Sequence, residues 1–320
     1  MLKDQIQSLA KLYKEEFIAV RQHLHANPEL SYKEFETSKF VQAKLTEFGI
    51  PFTVMAETGV VGLIEGKNPS SKIIALRADM DALPILEEND VPYKSKVNGV
   101  MHACGHDAHT AILMATAKTL KDMQKDVAGT VVFLFQPAEE GSPNNEEGGA
   151  PLMIKEGALD NPKVDAIFGL HINSQTPIGQ IKYKPEGTMA SSDWFTIKVK
   201  GKGAHGSAPW TGIDPIMISA QIINGLQTIV SRSSDLTKAP VVITVGKFNG
   251  GVRENIIPEE VSFSGTIRTL DSKMQKEVHE RIRNTVKHIA ASNGTEAEVT
   301  IDTKTLVTYN DPELVKLTLP

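Results

Sequence analysis

The stretch IIALRADMD, residues 73–81, decides the fold class predicted for this chain. Its first four residues are apolar without a break, which is typical of a strand buried on both faces, and the acids Asp79 and Asp81 follow directly. The runs TVVFLF at 130–135 and AIFGL at 166–170 repeat this pattern and also end in ionisable residues. The sequence therefore predicts an α/β domain with a mostly parallel sheet, in which polar groups meet beyond the carboxyl ends of the strands.

Helices are expected before and between these strands, where apolar residues recur at helical spacing. They cover residues 4–25, 108–123 and 149–157. Ser31 and Glu34 have the spacing of a capping box, so a further helix is expected to begin there and to end at Gly49. His23 and His25 lie near the end of the first helix, where we interpret them as positive charges that interact favourably with the helix dipole.

Past Pro185 the pattern changes to alternating strands and long helices, which predicts a second, α+β domain at 187–302. The predicted strands are 195–200, 241–248, 261–269 and 297–301, and the predicted helices are 214–230 and 274–291. This order suits a small open sheet with two helices on one face.

The stretch MHACGHDAH, residues 101–109, holds three histidines, the only cysteine and an aspartate. Cys104 and His106 are a thiolate and an imidazole of the kind that bind zinc or a similar divalent ion. Glu140 and His171, which follow the second and third predicted strands, add a carboxylate and another imidazole. Alone, Cys104 would be interpreted as a small buried apolar residue, but its neighbours favour a metal site.

The adjacent acids Glu139 and Glu140 follow a buried strand and Pro137. If Glu140 binds the metal, Glu139 stays free to take a proton from water and to hand it to a leaving amine. A solvated surface pair is the alternative interpretation. Asp79 could hydrogen-bond a ligand imidazole and set its tautomer, with helix capping as the competing explanation.

In the second domain, the glycine-rich loop KGKGAHGSAP, residues 200–209, contains one histidine. Such a loop brings the backbone close to a ligand, and His205 could stabilise a developing oxyanion. Asn255 offers an amide, and Arg268 offers a guanidinium that could bind a substrate carboxylate with two hydrogen bonds. A plain surface histidine and a structural salt bridge are the alternatives.

The composition limits the class of partner. With 34 basic and 39 acidic residues the net charge is −5, which offers no basic surface to nucleic acid or to a membrane. One cysteine forms no internal disulfide, residues 1–10 are polar, and no run reaches the roughly 18 apolar residues of a membrane span. We therefore expect a cytoplasmic protein that acts on a small molecule.

Eight stretches of the chain together resemble the M20 family of metallopeptidases, specifically the amidohydrolase branch that includes hippurate hydrolases and auxin-conjugate hydrolases. They are RQHLH with PEL (21–25, 28–30), LRADMDALP (76–84), HACGHDAH (102–109), QPAEEG (136–141), GLH (169–171), GAHGSAP (203–209), NIIP (255–258) and GTIR (265–268). They occur in the family's order across nearly the whole chain.

The resemblance implies a catalytic domain of zinc-peptidase type with two divalent ions, zinc or manganese, and an inserted lid domain that also forms a homodimer. The residues it assigns are the metal ligands Cys104, His106, Glu140 and His171, with Cys104 bridging, the base Glu139, His205 for the partner subunit's site, and the substrate contacts Asn255 and Arg268.

The family's catalytic domain resumes after the lid and supplies a last metal-ligand histidine near its carboxyl terminus. The division expected here is 1–186 for the main catalytic part, 187–302 for the lid and 303–320 for the start of the return. No histidine follows His288, so this chain is expected to lack that ligand and to hold the second ion weakly.

The leading functional hypothesis is hydrolysis of the amide bond of N-acyl amino acids by metal-activated water. An N-acetyl-diaminopimelate-type deacetylase and an aminoacyl peptidase are alternatives within the family. A metal-binding relative without activity and an enzyme with Cys104 as nucleophile are alternatives from other classes. Two ions per chain would favour the enzyme over the inactive relative, and activity that survives a chelator would favour the thiol nucleophile.

Overall fold

The apolar runs predicted as strands lie in a five-stranded sheet in the computed structural model, which describes residues 2–143 and 146–318. The strands are β1 (Phe52–Met55), β2 (Gly59–Glu65), β3 (Ile73–Asp79), β4 (Thr130–Gln136) and β5 (Ala166–Gly169), in the order β1-β2-β4-β3-β5. β3 runs parallel to β4 and β5, whereas β2 runs antiparallel to β1 and β4. The α/β class is confirmed, but the sheet is mixed because it includes the β1–β2 hairpin, which the sequence pattern does not reveal.

This sheet belongs to the first of two compact units, Met1–Pro177, and helices cover both of its faces. The helices are α1 (Leu2–Ala26), α2 (Phe35–Glu47), α3 (His106–Asp122) and α4 (Gly149–Lys155). Phe133 and Phe135 of β4 pack with α1, α2 and α3. Val132 and Leu134 point to the opposite face and pack with Met153 of α4. A core on each face fixes the strands and therefore the residues that follow them.

The ends of two helices are set by glycines with positive φ. α3 begins at His106, two residues before the predicted start at 108, and Gly105 precedes it with φ +89°. Cys104 therefore lies on the loop, whereas His106 lies in the first turn. The predicted end of α2 at Gly49 is confirmed, because this residue has φ +68° and its N–H donates to the Thr46 carbonyl.

The capping box predicted at Ser31 and Glu34 is wrong. Glu34 precedes α2 but makes no side-chain cap, and its carboxylate accepts hydrogen bonds from Thr58 and from the Ala138 N–H instead. The Ser31 hydroxyl donates to Asp81. Both side chains bind segments that are distant in sequence, which a local spacing pattern cannot indicate.

The second unit, Ile178–Pro320, is centred on a four-stranded antiparallel sheet. Its elements are β6 (Glu186–Met189), β7 (Ser192–Lys200), β8 (Ala204–His205), α5 (Pro215–Thr228), β9 (Val241–Gly250), β10 (Ile256–Ile257), β11 (Glu260–Thr269), α6 (Ser272–Ser292), β12 (Ala297–Thr305), β13 (Thr308–Asn310) and α7 (Pro312–Thr318). The sheet order is β12-β7-β11-β9. Ile222 of α5 and Val278 of α6 pack with Phe195 and Phe263 of the sheet in one core. The predicted arrangement, an open sheet with two helices on one face, is present.

Two short antiparallel ribbons complete the second unit, β6 with β13 and β8 with β10. The first ribbon brings the two ends of the segment 190–307 side by side. The structural boundary lies between Pro177 and Ile178, and the predicted division into 1–186, 187–302 and 303–320 stays a prediction. Across the two described ranges, none of the helices combines the length and the apolar character needed to cross a membrane.

Candidate metal centre

Strand ends and the start of one helix bring five predicted site residues together in the first unit. Cys104 and His106 flank the start of α3. Glu139 and Glu140 follow β4, and His171 follows β5. Because β3, β4 and β5 are parallel, their carboxyl ends lie at the same end of the sheet, where α/β proteins place their sites.

The predicted ligand atoms face a common space. Cys104 Sγ lies 3.3 Å from His171 Nε2. His106 Nε2 lies 3.8 Å from Glu140 Oε1 and 3.9 Å from Glu139 Oε2. One ligand atom each of Cys104, His106 and His171 lies within 4.8 Å of the others, and the same holds for His106, Glu139 and Glu140. His106 thus belongs to both groups.

Asp81 orients His106. The imidazole Nδ1 lies 2.9 Å from the Asp81 carbonyl oxygen and 3.2 Å from Oδ1 of its carboxylate, so Nδ1–H is the donor. Nε2 faces Glu139 and Glu140 and has no hydrogen-bond partner among the described residues. Burial lowers the pKa of His106, but the bond to Asp81 and the nearby carboxylates raise it to about 11. An ion that binds Nε2 must therefore displace a proton.

His171 is oriented by its own backbone and by His109, which was not a predicted site residue. Its Nδ1–H donates to the Ile172 carbonyl at 2.6 Å, which leaves Nε2 towards Cys104. The Ile172 N–H donates to Nε2 of the buried His109 at 2.9 Å. The only sequence signal for His109 is its place in the histidine-rich stretch 101–109.

Glu139 has the electrostatic surroundings of a group that exchanges protons. Burial and the Asp79 carboxylate raise its pKa above the usual value, although His106 and Arg77 act in the opposite direction. Its side chain is still 37% exposed, so water reaches it. A carboxylate with a raised pKa is a stronger base near neutral pH.

Asp79 does not make the bond that we predicted for it. That bond to a ligand imidazole belongs to Asp81, whereas Asp79 pairs with Arg77. Asp79 Oδ2 lies 3.9 Å from His106 Nε2 and 3.7 Å from His109 Nδ1. Asp79 therefore lies beside the site, and its role stays a prediction.

The residues present fit divalent metal ions. His106 Nε2 and Glu140 Oε1 are buried and lack a hydrogen-bond partner among the residues that the structure describes. Buried polar atoms are rarely left unsatisfied, so two such atoms 3.8 Å apart indicate a missing partner between them. Sulfur, nitrogen and carboxylate oxygen are ligands that zinc accepts.

In the second unit, His205 and Asn255 lie beside each other at the β8–β10 ribbon, where the Gly206 N–H donates to the Asn255 carbonyl at 2.8 Å. His205 Nδ1 accepts the Ser207 N–H at 3.2 Å and lies 2.8 Å from the Ser207 hydroxyl. Because an N–H can only donate, Nδ1 is the acceptor, and the neutral ring carries its proton on Nε2. His205 is exposed and can offer this N–H to a ligand.

Arg268 lies at the other end of the second unit's sheet. β7 and β11 pair Lys200 with Glu260 near the His205 loop, and they pair Asp193 with Ile267 beside Arg268. The Arg268 guanidinium donates to the Ile267 carbonyl at 2.9 Å. Within one chain, Arg268 is therefore not brought to His205, and its contact with substrate stays a prediction.

A buried cluster of charged side chains beside α3 was also not predicted from the sequence. His25 Nδ1 lies 2.8 Å from Asp107 Oδ2, and His25 Nε2 lies 3.1 Å from Glu87 Oε1. Arg21 Nε lies 2.7 Å from the same Asp107 oxygen. The interpretation of His25 as a helix-dipole charge is incomplete, because two carboxylates hold it. Since Asp107 directly follows His106, the cluster anchors the first turn of α3.

Comparison with known proteins identifies relatives that are named as hydrolases. The chain matches peptidase family M20/M25/M40 over residues 75–318. It is 42% identical over 316 residues to thermostable carboxypeptidase 2 of Saccharolobus solfataricus, an alignment that covers 98% of this chain and 79% of that protein. It is also 42% identical over 303 residues to an N-acyl-L-amino acid amidohydrolase of Geobacillus stearothermophilus, covering 94% of this chain and 80% of the relative.

A solved structure supports the fold and the metal centre. The YXEP protein of Bacillus subtilis, described as a dinuclear metal binding peptidase from the M20 family, is 38% identical to this chain and superposes with a TM-score of 0.81. The superposition covers 96% of this chain and 78% of the solved one. At this identity the likeness extends beyond the fold alone.

Proposed function

The chain belongs to peptidase family M20/M25/M40 and is a metal-dependent hydrolase, and on this premise we propose that it hydrolyses the amide bond of N-acyl amino acids. The single observation that carries the proposal is the convergence of Cys104, His106, Glu139, Glu140 and His171 at one edge of the sheet. The relative named as an N-acyl-L-amino acid amidohydrolase supports the substrate class.

In this proposal Cys104, His106, Glu140 and His171 would hold two divalent ions. This assignment is supported by His106 Nε2 and Glu140 Oε1, which have no hydrogen-bond partner in the part of the chain that the structure describes. When bound, such ions polarise the scissile carbonyl and lower the pKa of water. The thiolate favours zinc, whereas the carboxylates also suit manganese.

Glu139 is proposed as the general base and acid. It removes a proton from the attacking water, and it then delivers that proton to the nitrogen of the leaving amino acid. Its partial exposure lets water reach it, and its raised pKa makes it a stronger base, which supports both steps. The Nε2–H of His205 is proposed to donate to the oxyanion, since Nδ1 is already engaged by Ser207. Asn255 and Arg268 are proposed to contact the substrate.

The test is a panel of N-acyl amino acids assayed after metal removal and re-addition of zinc, manganese or cobalt. Glu139→Gln should lower kcat by about a hundredfold or more, because general acid–base catalysis contributes this much, and should leave the metal content unchanged. Elemental analysis of both proteins measures that content. Full activity of Glu139→Gln would show that Glu139 is not the base. Activity of the metal-free protein would show that the reaction does not require the ions.

The chain is further proposed to act as a homodimer formed through the second unit, with His205 of each protomer serving the other protomer's site. β9 is an edge strand of its sheet and carries the exposed apolar residues Val242 and Phe248, which supports an interface there. Light scattering should give twice the 34.8 kDa chain mass, and Val242→Lys should shift the protein towards monomer. A monomeric wild-type protein with full activity would contradict this proposal.

A further inference from the structure

The backbone turns sharply immediately before the two site glutamates. Ala138 has φ +46°, in the left-handed region that residues with a side chain rarely adopt. Glu139 and Glu140 follow it directly, so the direction of both side chains depends on this turn. Strained backbone of this kind persists only where the surrounding structure holds it, and it is concentrated at functional sites.

The group that holds the turn is Glu34. Its Oε1 accepts the Ala138 N–H at 2.9 Å, and its Oε2 accepts the Thr58 hydroxyl at 2.8 Å. Glu34 is fully buried, with 0% exposure, and Ala138 is 2% exposed. A carboxylate is costly to bury, so its retention against two neutral donors indicates a specific task.

The rest of the turn is fixed on either side of this bond. The Ala138 carbonyl accepts the Gly149 N–H at 3.2 Å. The Glu140 N–H donates to Asp81 at 2.9 Å, and Asp81 also orients His106. Within the described chain, the Ala138 N–H makes one hydrogen bond, to Glu34. Glu34 is thus the group that holds the N–H side of the strained residue.

We infer that Glu34 is a positioning residue that holds Ala138 in its left-handed conformation and thereby sets the places of Glu139 and Glu140 in the metal centre. The inference rests on the proposed function for the roles of those two glutamates. Glu34 acts through the strain of Ala138, so a substitution that relieves this strain should compensate for the loss of Glu34.

The experiment uses four variants of the full chain: Glu34→Ala, Glu34→Gln, Ala138→Gly and the double variant Glu34→Ala/Ala138→Gly. Zinc affinity is measured by competition with a chelating dye, kcat and KM are measured separately, and all assays run below the unfolding midpoint of each variant. Glu34→Ala should weaken zinc binding and lower kcat by about 10- to 100-fold, as for other groups that orient metal ligands, with little change in KM.

Glu34→Gln and the double variant separate positioning from a general effect, and Ala138→Gly is the reference for the double variant. Glu34→Gln should stay within about threefold of wild type, because its amide oxygen still accepts the Ala138 N–H and its NH₂ faces Thr58. In the double variant, zinc affinity should recover by about fivefold or more relative to Glu34→Ala, since glycine adopts positive φ without strain. Should Glu34→Ala fail to fold, Thr58→Val loosens the same carboxylate and should act in the same direction.

Glu156 provides a matched control. It accepts the N–H of Ala56 at 2.7 Å, and Ala56 has φ +48°, so the same kind of bond holds a second left-handed alanine. Ala56 is linked to Glu34 through Thr58, whose N–H donates to the Ala56 carbonyl and whose hydroxyl donates to Glu34, each at 2.8 Å. Glu156→Ala should lower the unfolding midpoint with zinc affinity and kcat unchanged.

Three results would overturn the inference: equal losses in Glu156→Ala and Glu34→Ala, equal losses in Glu34→Gln and Glu34→Ala, or no recovery in the double variant. Zinc affinity is read without any substrate. A failure of the proposed amide hydrolysis therefore shows in the wild-type assay, whereas a failure of the positioning role shows in the affinities.

Discussion

Asp81 is the residue whose loss should disturb the metal centre most without removing a ligand. It accepts from His106 Nδ1, from the Glu140 N–H and from the Ser31 hydroxyl. Asp81→Ala should weaken zinc binding by about 10- to 100-fold, because the imidazole keeps only the Asp81 carbonyl as its partner and the Glu140 N–H loses its acceptor. Zinc titration measures this. Ser31→Ala removes only the hydroxyl and should leave the affinity near wild type. Equal affinities of all three proteins would contradict the orienting role of Asp81.

His25 should make the stability of the metal-free protein depend on pH. The hydrogen bond to Asp107 raises the pKa of His25 above its usual value, with burial opposing and Glu87 assisting. A histidine whose pKa is raised on folding stabilises the protein fully below its unfolded pKa of about 6.5, and this contribution is lost as the pH rises through the folded value. The pKa values of Asp107 and Glu87 are lowered despite their burial, so their contribution is lost in acid instead.

The pH dependence can be measured by urea unfolding of the metal-free protein between pH 5.5 and pH 9. His25→Gln should destabilise the protein most at the acidic end of this range and least at the alkaline end. The reason is that the His25 imidazole of the wild type loses its proton, and with it the stabilising charge, as the pH rises. His288→Gln is the control, since this exposed histidine makes a single hydrogen bond among the described residues, to the Asn284 carbonyl. A destabilisation by His25→Gln that does not change with pH would show that its charge contributes nothing.

At the scale of elements, the junction between the Cys104 loop and α3 depends on Gly105. Its φ is +89°, and a Cβ there would lie 2.2 Å from Ile172 Cγ2, next to His171. Gly105→Ala should therefore displace the His171 loop and weaken zinc binding by about tenfold or more, and it should destabilise the protein by about 1–3 kcal/mol. Zinc titration and thermal unfolding measure the two effects.

Gly99→Ala is the matched control for this junction. Gly99 also has positive φ, +78°, but a Cβ would meet nothing within 4 Å. The substitution should cost about 1–2 kcal/mol of backbone strain and leave zinc affinity unchanged. If both alanine variants bind zinc equally well, the contact with Ile172 is not what matters at Gly105.

Elements with a continuous pattern were predictable from sequence, and so was the convergence of Glu139, Glu140 and His171 with the Cys104–His106 stretch. The apolar runs of β3, β4 and β5 form strands as predicted, although only β4 is buried on both faces along nearly its whole length, whereas Ile167 of the edge strand β5 is exposed. The β1–β2 hairpin was not predicted, because Gly59 and Gly62 interrupt its apolar residues. The long-range bonds of Glu34, His109 and His25 could not be predicted, since their partners are 104, 63 and 82 residues away in the chain.

The whole molecule consists of two units with separate cores, and all proposed metal ligands lie in the first. Chelation should therefore lower the unfolding midpoint of the first unit only. An ion present at a hundred times its dissociation constant contributes about 2.7 kcal/mol. Calorimetry with and without a chelator measures the shift. Cys104→Ala should abolish it, and a metal-dependent shift in a second transition would show that the units are not independent.

The ribbon of β6 and β13 has a further consequence for how such proteins diversify. Because Glu186–Met189 pairs with Thr308–Asn310, the segment between them leaves and rejoins the chain at a single seam about 5 Å wide. A gene rearrangement that exchanges everything between the two strands would leave the first unit's connectivity unchanged. Recombination among relatives could thus exchange the central part of the second unit in one genetic event.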